Sequence, residues 1–378
     1  MFLRPWPIPA AEEASVREQT RAFVEKHVAP TRDTDDAEGI FRREIFDALA
    51  PLGFHSWSQP REWGGRQGSY RAYYAFLEEL GRGSLALSVA VGVTNLVQGA
   101  LLAFGNTPQK EKYLKPLIAG KFLGAFSLSE PHSGSDASAL RLSAVKEGDA
   151  YRINGTKCWC SNAGHADLYL VMARTAEHKS RGISAFLVPK DTPGFRVGKQ
   201  EKKLGLRAST LAELVFDDCR IPEAQRLGAE GQGFEIALSQ LDAGRIAIAA
   251  AGLSAAGQAI EIAWERLCHG LDPNDGIRPI FAEYFARWQS LKGLMATVAD
   301  ARTEGLAISD LAASLKLTSS ELAMQVCHDA VHYLGYEGVR LGSGVERLLR
   351  DSKALQIVEG TNQIQRLVLG RQLDGMVS

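Results

Sequence analysis

Cysteine is scarce in this chain: five among 378 residues, at positions 158, 160, 219, 268 and 327. A sparse, odd set in a chain of this length does not suggest a disulfide framework. Cys158 and Cys160 flank Trp159 in what reads as a strand and so point to one face. No second Cys/His pair stands at zinc spacing, so no metal site is expected. Net charge is also lacking. A formal charge of -1 gives no reason to expect nucleic acid or an anionic membrane surface as partner. The first residues, Met1-Phe-Leu-Arg-Pro-Trp-Pro, lack the basic region and apolar run of a signal peptide. No run is expected to be long and apolar enough to span a bilayer, since the strongest, Leu85 to Phe104, is broken by Ser88, Thr94, Asn95 and Gln98. Internal repeats and low-complexity segments are absent. These absences predict a soluble, cytoplasmic protein with neither nucleic-acid nor membrane partners.

The length and a hydrophobic content of 45% allow two or three domains with substantial cores. Hydrophobic periodicity divides the chain in three. Residues 1–121 read as helical: Val16, Phe23, Val24 and Val28 recur at helical spacing until Pro30, Ile45, Leu49 and Leu52 follow, and Tyr70 to Leu80 and Leu85 to Phe104 are apolar on more than one face. Residues 122–228 change to short alternating runs separated by turn residues, an all-β pattern; examples are 150–155, 168–173, 183–188 and 212–216. Residues 229–378 return to the helical period. Helices are expected over 234–268, 281–302, 309–333 and 344–356, with a loop over 269–276, and four long antiparallel helices make a bundle.

Near the end stands Gln356-Ile-Val-Glu-Gly-Thr-Asn-Gln-Ile-Gln-Arg366. Thr361 or Asn362 can cap a new helix, which places Glu359 in a tight connection just before a helix N-terminus. A carboxyl with apolar neighbours in a dry site is a candidate general base, because desolvation raises its pKa towards neutrality. A solvated Glu beside a helix cap is the bland alternative for a lone Glu-Gly-Thr. A second polar stretch, Phe126-Ser-Leu-Ser-Glu-Pro-His-Ser-Gly-Ser-Asp136, runs from a strand into a loop that exposes backbone N–H groups and hydroxyls to an electron-rich ligand. By itself it also reads as an ordinary polar β-connection. Gly155-Thr-Lys-Cys-Trp-Cys-Ser-Asn162 carries a Trp that, alone, reads as core. In Leu241-Asp-Ala-Gly-Arg-Ile246, Asp242 and Arg245 lie three apart on a helix and share a face, by themselves a surface ion pair of little worth.

Taken together and in their order along the chain, these four stretches resemble the signatures of the acyl-CoA dehydrogenase family over about 23–371. The resemblance implies a helical N-terminal domain, a β-barrel-like middle domain and a C-terminal four-helix bundle. It implies FAD as cofactor and an acyl-CoA as substrate. Glu359 would take the α-proton while the β-hydrogen leaves as hydride to the flavin. Phe126, Leu128, Ser129, Trp159, Ser161, Thr361 and Gln363 would face the cofactor, and Ser135, Asp242 and Arg245 the acyl-CoA. Some relatives carry the catalytic carboxylate on the helix of Asp242; the matching position here is Gly244, which leaves Glu359 as the candidate.

Two motifs depart from the family pattern, and both normally serve the adenosine end of FAD across a subunit interface. The segment Arg266 to Arg278 lacks an Arg-Phe-Gly element, and His332-Tyr-Leu-Gly-Tyr-Glu-Gly338 has His332 and Tyr336 where the family has Gln and Gly. A homodimer or homotetramer is expected, with an electron-transferring flavoprotein as acceptor. An acyl group carried on a protein, reoxidation by oxygen, and a degenerate non-catalytic acyl-CoA binder stand as alternatives.

Overall fold

The computed structural model describes residues 10–270 and 276–377. The Met1–Pro7 stretch, expected not to be a signal peptide, and the part of the predicted loop at 271–275 lie outside the described residues.

The chain opens with α1 (Ala11–Phe23), α2 (Arg32–Glu38) and α3 (Arg43–Ala48). The core hairpin of this part is α4 (Tyr70–Gly83) and α5 (Leu85–Phe104), followed by the short α6 (Thr107–Gln109) and α7 (Lys115–Ile118). Ser69 and Ser84 each accept a backbone N–H at the start of α4 and α5, so Ser84 both ends one helix and caps the next. Buried Arg17 on α1 holds Glu78 and Glu79 of α4 at 2.9 and 3.0 Å, and Lys292 on a later helix also pairs with Glu78.

The middle of the chain forms one eight-stranded sheet: β1 (Gly124–Ser127), β2 (Ser143–Glu147), β3 (Ala150–Ser161), β4 (Leu168–Arg174), β5 (Ile183–Pro189), β6 (Phe195–Gln200), β7 (Leu211–Pro222) and β8 (Arg226–Leu227). The order is β6-β7-β3-β2-β4-β5-β8, with β1 parallel to β4. β3 and β7 pair antiparallel, and their register slips between Lys157 and Cys160. That bulge matters below.

The C-terminal helices are α8 (Gly233–Gly270), α9 (Ile277–Thr303), α10 (Ser309–Leu334), α11 (Tyr336–Val339), α12 (Val345–Leu355) and α13 (Asn362–Val377). The fourth expected helix, over 344–356, is α12 (Val345–Leu355), shorter than the other three expected helices. α8 runs on through His269 and Gly270, past the predicted loop start.

The expectation about apolar runs is corrected. Both α5 and Gly233–His269 of α8 are long and apolar enough to cross a bilayer. The polar residues in α5 do not offset its Leu, Val and Ala content. Both helices instead turn most of their apolar surface to the protein interior. α8 packs against α4, α5 and α10 and so joins the first and last thirds of the chain. α5 also packs on β1. The site is built around this α5–α8 contact.

Candidate active site

Glu359 lies in the connection between α12 and α13, as expected, and Thr361 is the residue that caps α13: its hydroxyl accepts the N–H of Ile364 at 3.3 Å. Glu359 and Gly360 both adopt left-handed backbone, at φ 54° and 84°. For glutamate this conformation costs about 1–3 kcal/mol, so surrounding contacts must enforce it. Gln365 does so from the first turn of α13: its side-chain amide donates to the carbonyls of Glu359 at 3.2 Å and Gly360 at 2.8 Å.

The turn delivers the Glu359 carboxyl onto α8 at Gly244. A Cβ on Gly244 would stand 2.4 Å from Glu359 Oε2. The missing side chain at Gly244 leaves the space that the carboxyl occupies. Glu359 is half-buried, and burial is the main influence that raises its pKa to about 7; the charges of Lys316 and Arg245 act the other way. Arg245 is buried and donates to Asp242 Oδ1 at 2.7 Å, so the pair is an interior one and not a solvated surface bridge. Asp242 is also held by the Ser309 hydroxyl at the start of α10.

The sequence reading missed Lys316. It is fully buried on α10, and its ammonium donates to the Gly360 carbonyl at 2.9 Å and to Asn362 Oδ1 at 2.8 Å. Asn362 passes its amide on to Glu321 at 2.9 Å, which also receives Arg366 at 3.1 Å. The available signal was a lysine between Leu315 and Leu317 in a run of small and apolar residues. Gln363, by contrast, is exposed, and its side chain makes no hydrogen bond among the described residues.

The second half of the site is a ledge on the sheet. The bulge in β3 puts Trp159 at φ 56° and turns its ring outward, 51% exposed, while Cys158 and Cys160 stay buried. Gly134 stands beside the ring, where a Cβ would come within 3.9 Å of it. Phe126, Leu128, Ser129 and Ser161 are half-buried at the same strand ends, and Cys158 N–H donates to the Ser129 carbonyl at 3.0 Å. Beneath them, fully buried Lys157 donates to the Leu128 carbonyl and to Glu130 Oε1, both at 2.8 Å. Glu130 in turn accepts the N–H groups of Arg141 and Leu142 at 2.7 and 2.9 Å, which closes the loop of the second signature. Glu130 and Lys157 were also passed over in the sequence, as fixed parts of motifs read for their ligand contacts.

α5 and the 201–210 loop connect the two halves. The side chain of Asn162, just past β3, donates to the carbonyls of Ala90 on α5 and Gly124 of β1, at 3.0 and 2.8 Å. Two residues along α5, Gly92 meets Ala247 of α8, three residues from Gly244. Asn162 N–H also donates to Thr210, and the loop before Thr210 is pinned to α12 by the Leu206 N–H on Asp351. Gly205 lies flat on the Arg350 carbonyl, where a Cβ would stand 2.1 Å away.

The ledge fits a flavin. It offers an exposed aromatic ring, apolar neighbours and hydroxyl groups, and the buried Ser127 Oγ, Asn162 Oδ1 and Thr210 Oγ1 have no hydrogen-bond partner among the described residues. Ser135 is exposed on the rim. In the two altered motifs, Arg266 is engaged within the chain, donating to the Ser343 carbonyl at 2.8 Å, and Tyr336, the first residue of α11, is 79% exposed.

Three models of one family match in order: "Acyl-CoA dehydrogenase, N-terminal domain" over 10–121, "middle domain" over 125–219 and "C-terminal domain" over 231–373. An acyl-CoA dehydrogenase of Bacillus subtilis is 40% identical over 372 residues, covering 96% of this chain and 98% of that protein. Butyryl-CoA dehydrogenase from Megasphaera elsdenii superposes with a TM-score of 0.92 at 34% identity, over 99% of this chain and 100% of that one. A chain in a solved structure described as the electron transferring flavoprotein of Acidaminococcus fermentans superposes with a TM-score of 0.94 at 35% identity, over 97% and 98%. The chain belongs to the acyl-CoA dehydrogenase family.

Proposed function

We propose that Glu359 is the base in this chain's dehydrogenation of an acyl-CoA thioester, and that the substrate is a short acyl chain. The reaction class and the requirement for FAD follow from the family. The observation that carries the base assignment is the Glu359 carboxyl held over Gly244 by a left-handed turn. A base poised near neutrality is effective, because it is ionised at working pH yet still accepts a proton readily. Its pKa of about 7 meets that condition. The α-hydrogen leaves as a proton to Glu359, and the β-hydrogen leaves as hydride. FAD, when bound, supplies the hydride acceptor. Phe126, Leu128, Ser129, Trp159 and Ser161 would hold its flavin end, with Thr361 and Gln363 on the catalytic-turn side. Asp242 and Arg245, with Ser135 at the rim, would bind the acyl-CoA. The short-chain reading rests on the likeness to butyryl-CoA dehydrogenase.

The same reading takes 1–121, 122–228 and 229–378 as three domains of a cytoplasmic homodimer or homotetramer. Its electron acceptor would be an electron-transferring flavoprotein, a partner suggested by the Acidaminococcus structure. The test is the visible spectrum of the purified FAD-loaded protein during anaerobic titration with acyl-CoAs of increasing length. The flavin band is expected to bleach most readily with butyryl-CoA, and not in Glu359→Gln. Bleaching only by long chains, or undiminished bleaching in the variant, overturns the chain-length or base assignment respectively.

A further inference from the structure

We propose that Lys316 is a positioning residue for Glu359: its ammonium fixes the Gly360 carbonyl and the Asn362 side chain, so that the catalytic carboxyl is held over Gly244 beside a positive charge. The proposal rests on Glu359 being the base.

A fully buried ammonium is costly unless its donors are used. Lys316 uses two of them on the turn itself, one on the backbone directly after Glu359 and one on the first residue of α13. Gln365 binds the same Gly360 carbonyl from the other side. The left-handed pair Glu359–Gly360 is thus gripped between α10 and α13, which is what a strained conformation needs in order to persist. Lys316 forms no direct ion pair with Glu359 within 4 Å, so its bonds do not occupy the carboxylate oxygens. Its charge still acts on that carboxyl at short range and favours the ionised form.

Other charged groups face the turn. Arg245 on α8 acts with Lys316 on Glu359. Glu321 on α10 also lies beside Lys316, but it is bonded by Asn362, Gln356 and Arg366. Arg366, the basic residue in the first turns of α13, is engaged there. Lys316 is therefore the cation from α10 that bears on the base.

Three variants separate position from charge: Lys316→Gln, which keeps a donor for the Gly360 carbonyl without the charge; Lys316→Met, which removes both; and Glu359→Gln as control. Reductive-half-reaction rates with butyryl-CoA are followed from pH 6 to 9, and backbone hydrogen exchange over 357–365 is measured on the FAD-loaded proteins at rest. Rates in the parent protein should rise through a limb near neutrality that is absent in Glu359→Gln. In Lys316→Gln and Lys316→Met the limb should move up by about one unit. Exchange over the turn should accelerate about tenfold or more in Lys316→Met and less in Lys316→Gln. A limb that stays in place in both variants, or a turn whose exchange is unchanged in Lys316→Met, overturns the proposal. A limb that survives in Glu359→Gln refutes the base assignment instead.

Discussion

Two buried lysines anchor the two halves of this site, and they do so differently. Lys157 and Lys316 are both fully buried, both grip a backbone carbonyl beside a working side chain, and both are lowered by burial to about 8. Each stands next to a non-glycine residue held at positive φ in its own half of the site, Trp159 at 56° and Glu359 at 54°. Lys157 has a carboxylate of its own, Glu130, at 2.8 Å. Burial pushes the Glu130 carboxyl up, but the charge and hydrogen bond of Lys157 and the N–H groups of Arg141 and Leu142 outweigh it, and its pKa is lowered. Lys316 bonds to two neutral oxygens, Gly360 O and Asn362 Oδ1. The first lysine is neutralised locally and serves as scaffold. The second leaves its charge to act on the carboxyl of Glu359, the proposed base. A protein that needs a rigid ledge pairs the ion; one that needs a tuned base leaves it without a close counter-ion.

The largest expected break in that comparison is on the catalytic side. Glu359→Gln should slow flavin reduction by butyryl-CoA by about 10²–10⁴-fold, the usual worth of a positioned base. Stopped-flow absorbance measures it, with FAD binding unchanged as control. The scaffold side breaks through stability. Glu130→Ala leaves Lys157 buried without its counter-charge and frees the N–H groups of Arg141 and Leu142. A loss of about 3–5 kcal/mol is expected in denaturant unfolding followed by far-UV circular dichroism. A loss below about 1 kcal/mol would mean the pair is not a scaffold.

Trp159→Ala should be milder. The ring is half exposed, so its removal opens no large cavity. FAD affinity should fall by about tenfold with little change in folding, as read by fluorescence titration of the apoprotein. The smallest effect is on pH-dependent stability. Glu359 has a folded pKa raised from 4.5 to about 7. Between those values the folded state holds a proton that the unfolded chain has released, so stability falls as pH rises from about 4.5 to 7. Glu359→Gln removes that loss, and above pH 7 the apoprotein variant should be more stable by about 1–3 kcal/mol. Asp351 is also raised, to about 7, by burial. The effect is therefore read as the difference between variant and parent across pH, not from the parent alone.

The sequence by itself determined much. Period 3.6, then period 2, then period 3.6 again placed helices, sheet and helices, because each periodicity records which face is buried. The apolar pair before Glu359, the glycine after it and the cap at Thr361 placed a carboxyl in a turn before a helix. Gly244 was legible as a position unable to carry a base, but not as the space into which Glu359 fits; that is a contact between residues 115 apart. Local pattern also misjudged the burial of Arg245, which depends on what packs over α8. Likewise α5 and α8 satisfy the length and composition of a bilayer span, and only their neighbours show that protein fills that role. Lys157 and Lys316 each look in sequence like one more lysine. Burial, strain at Trp159 and Glu359, and the charge felt by the base arise from atoms that meet only once three distant stretches are packed together, so the tertiary structure alone decided them.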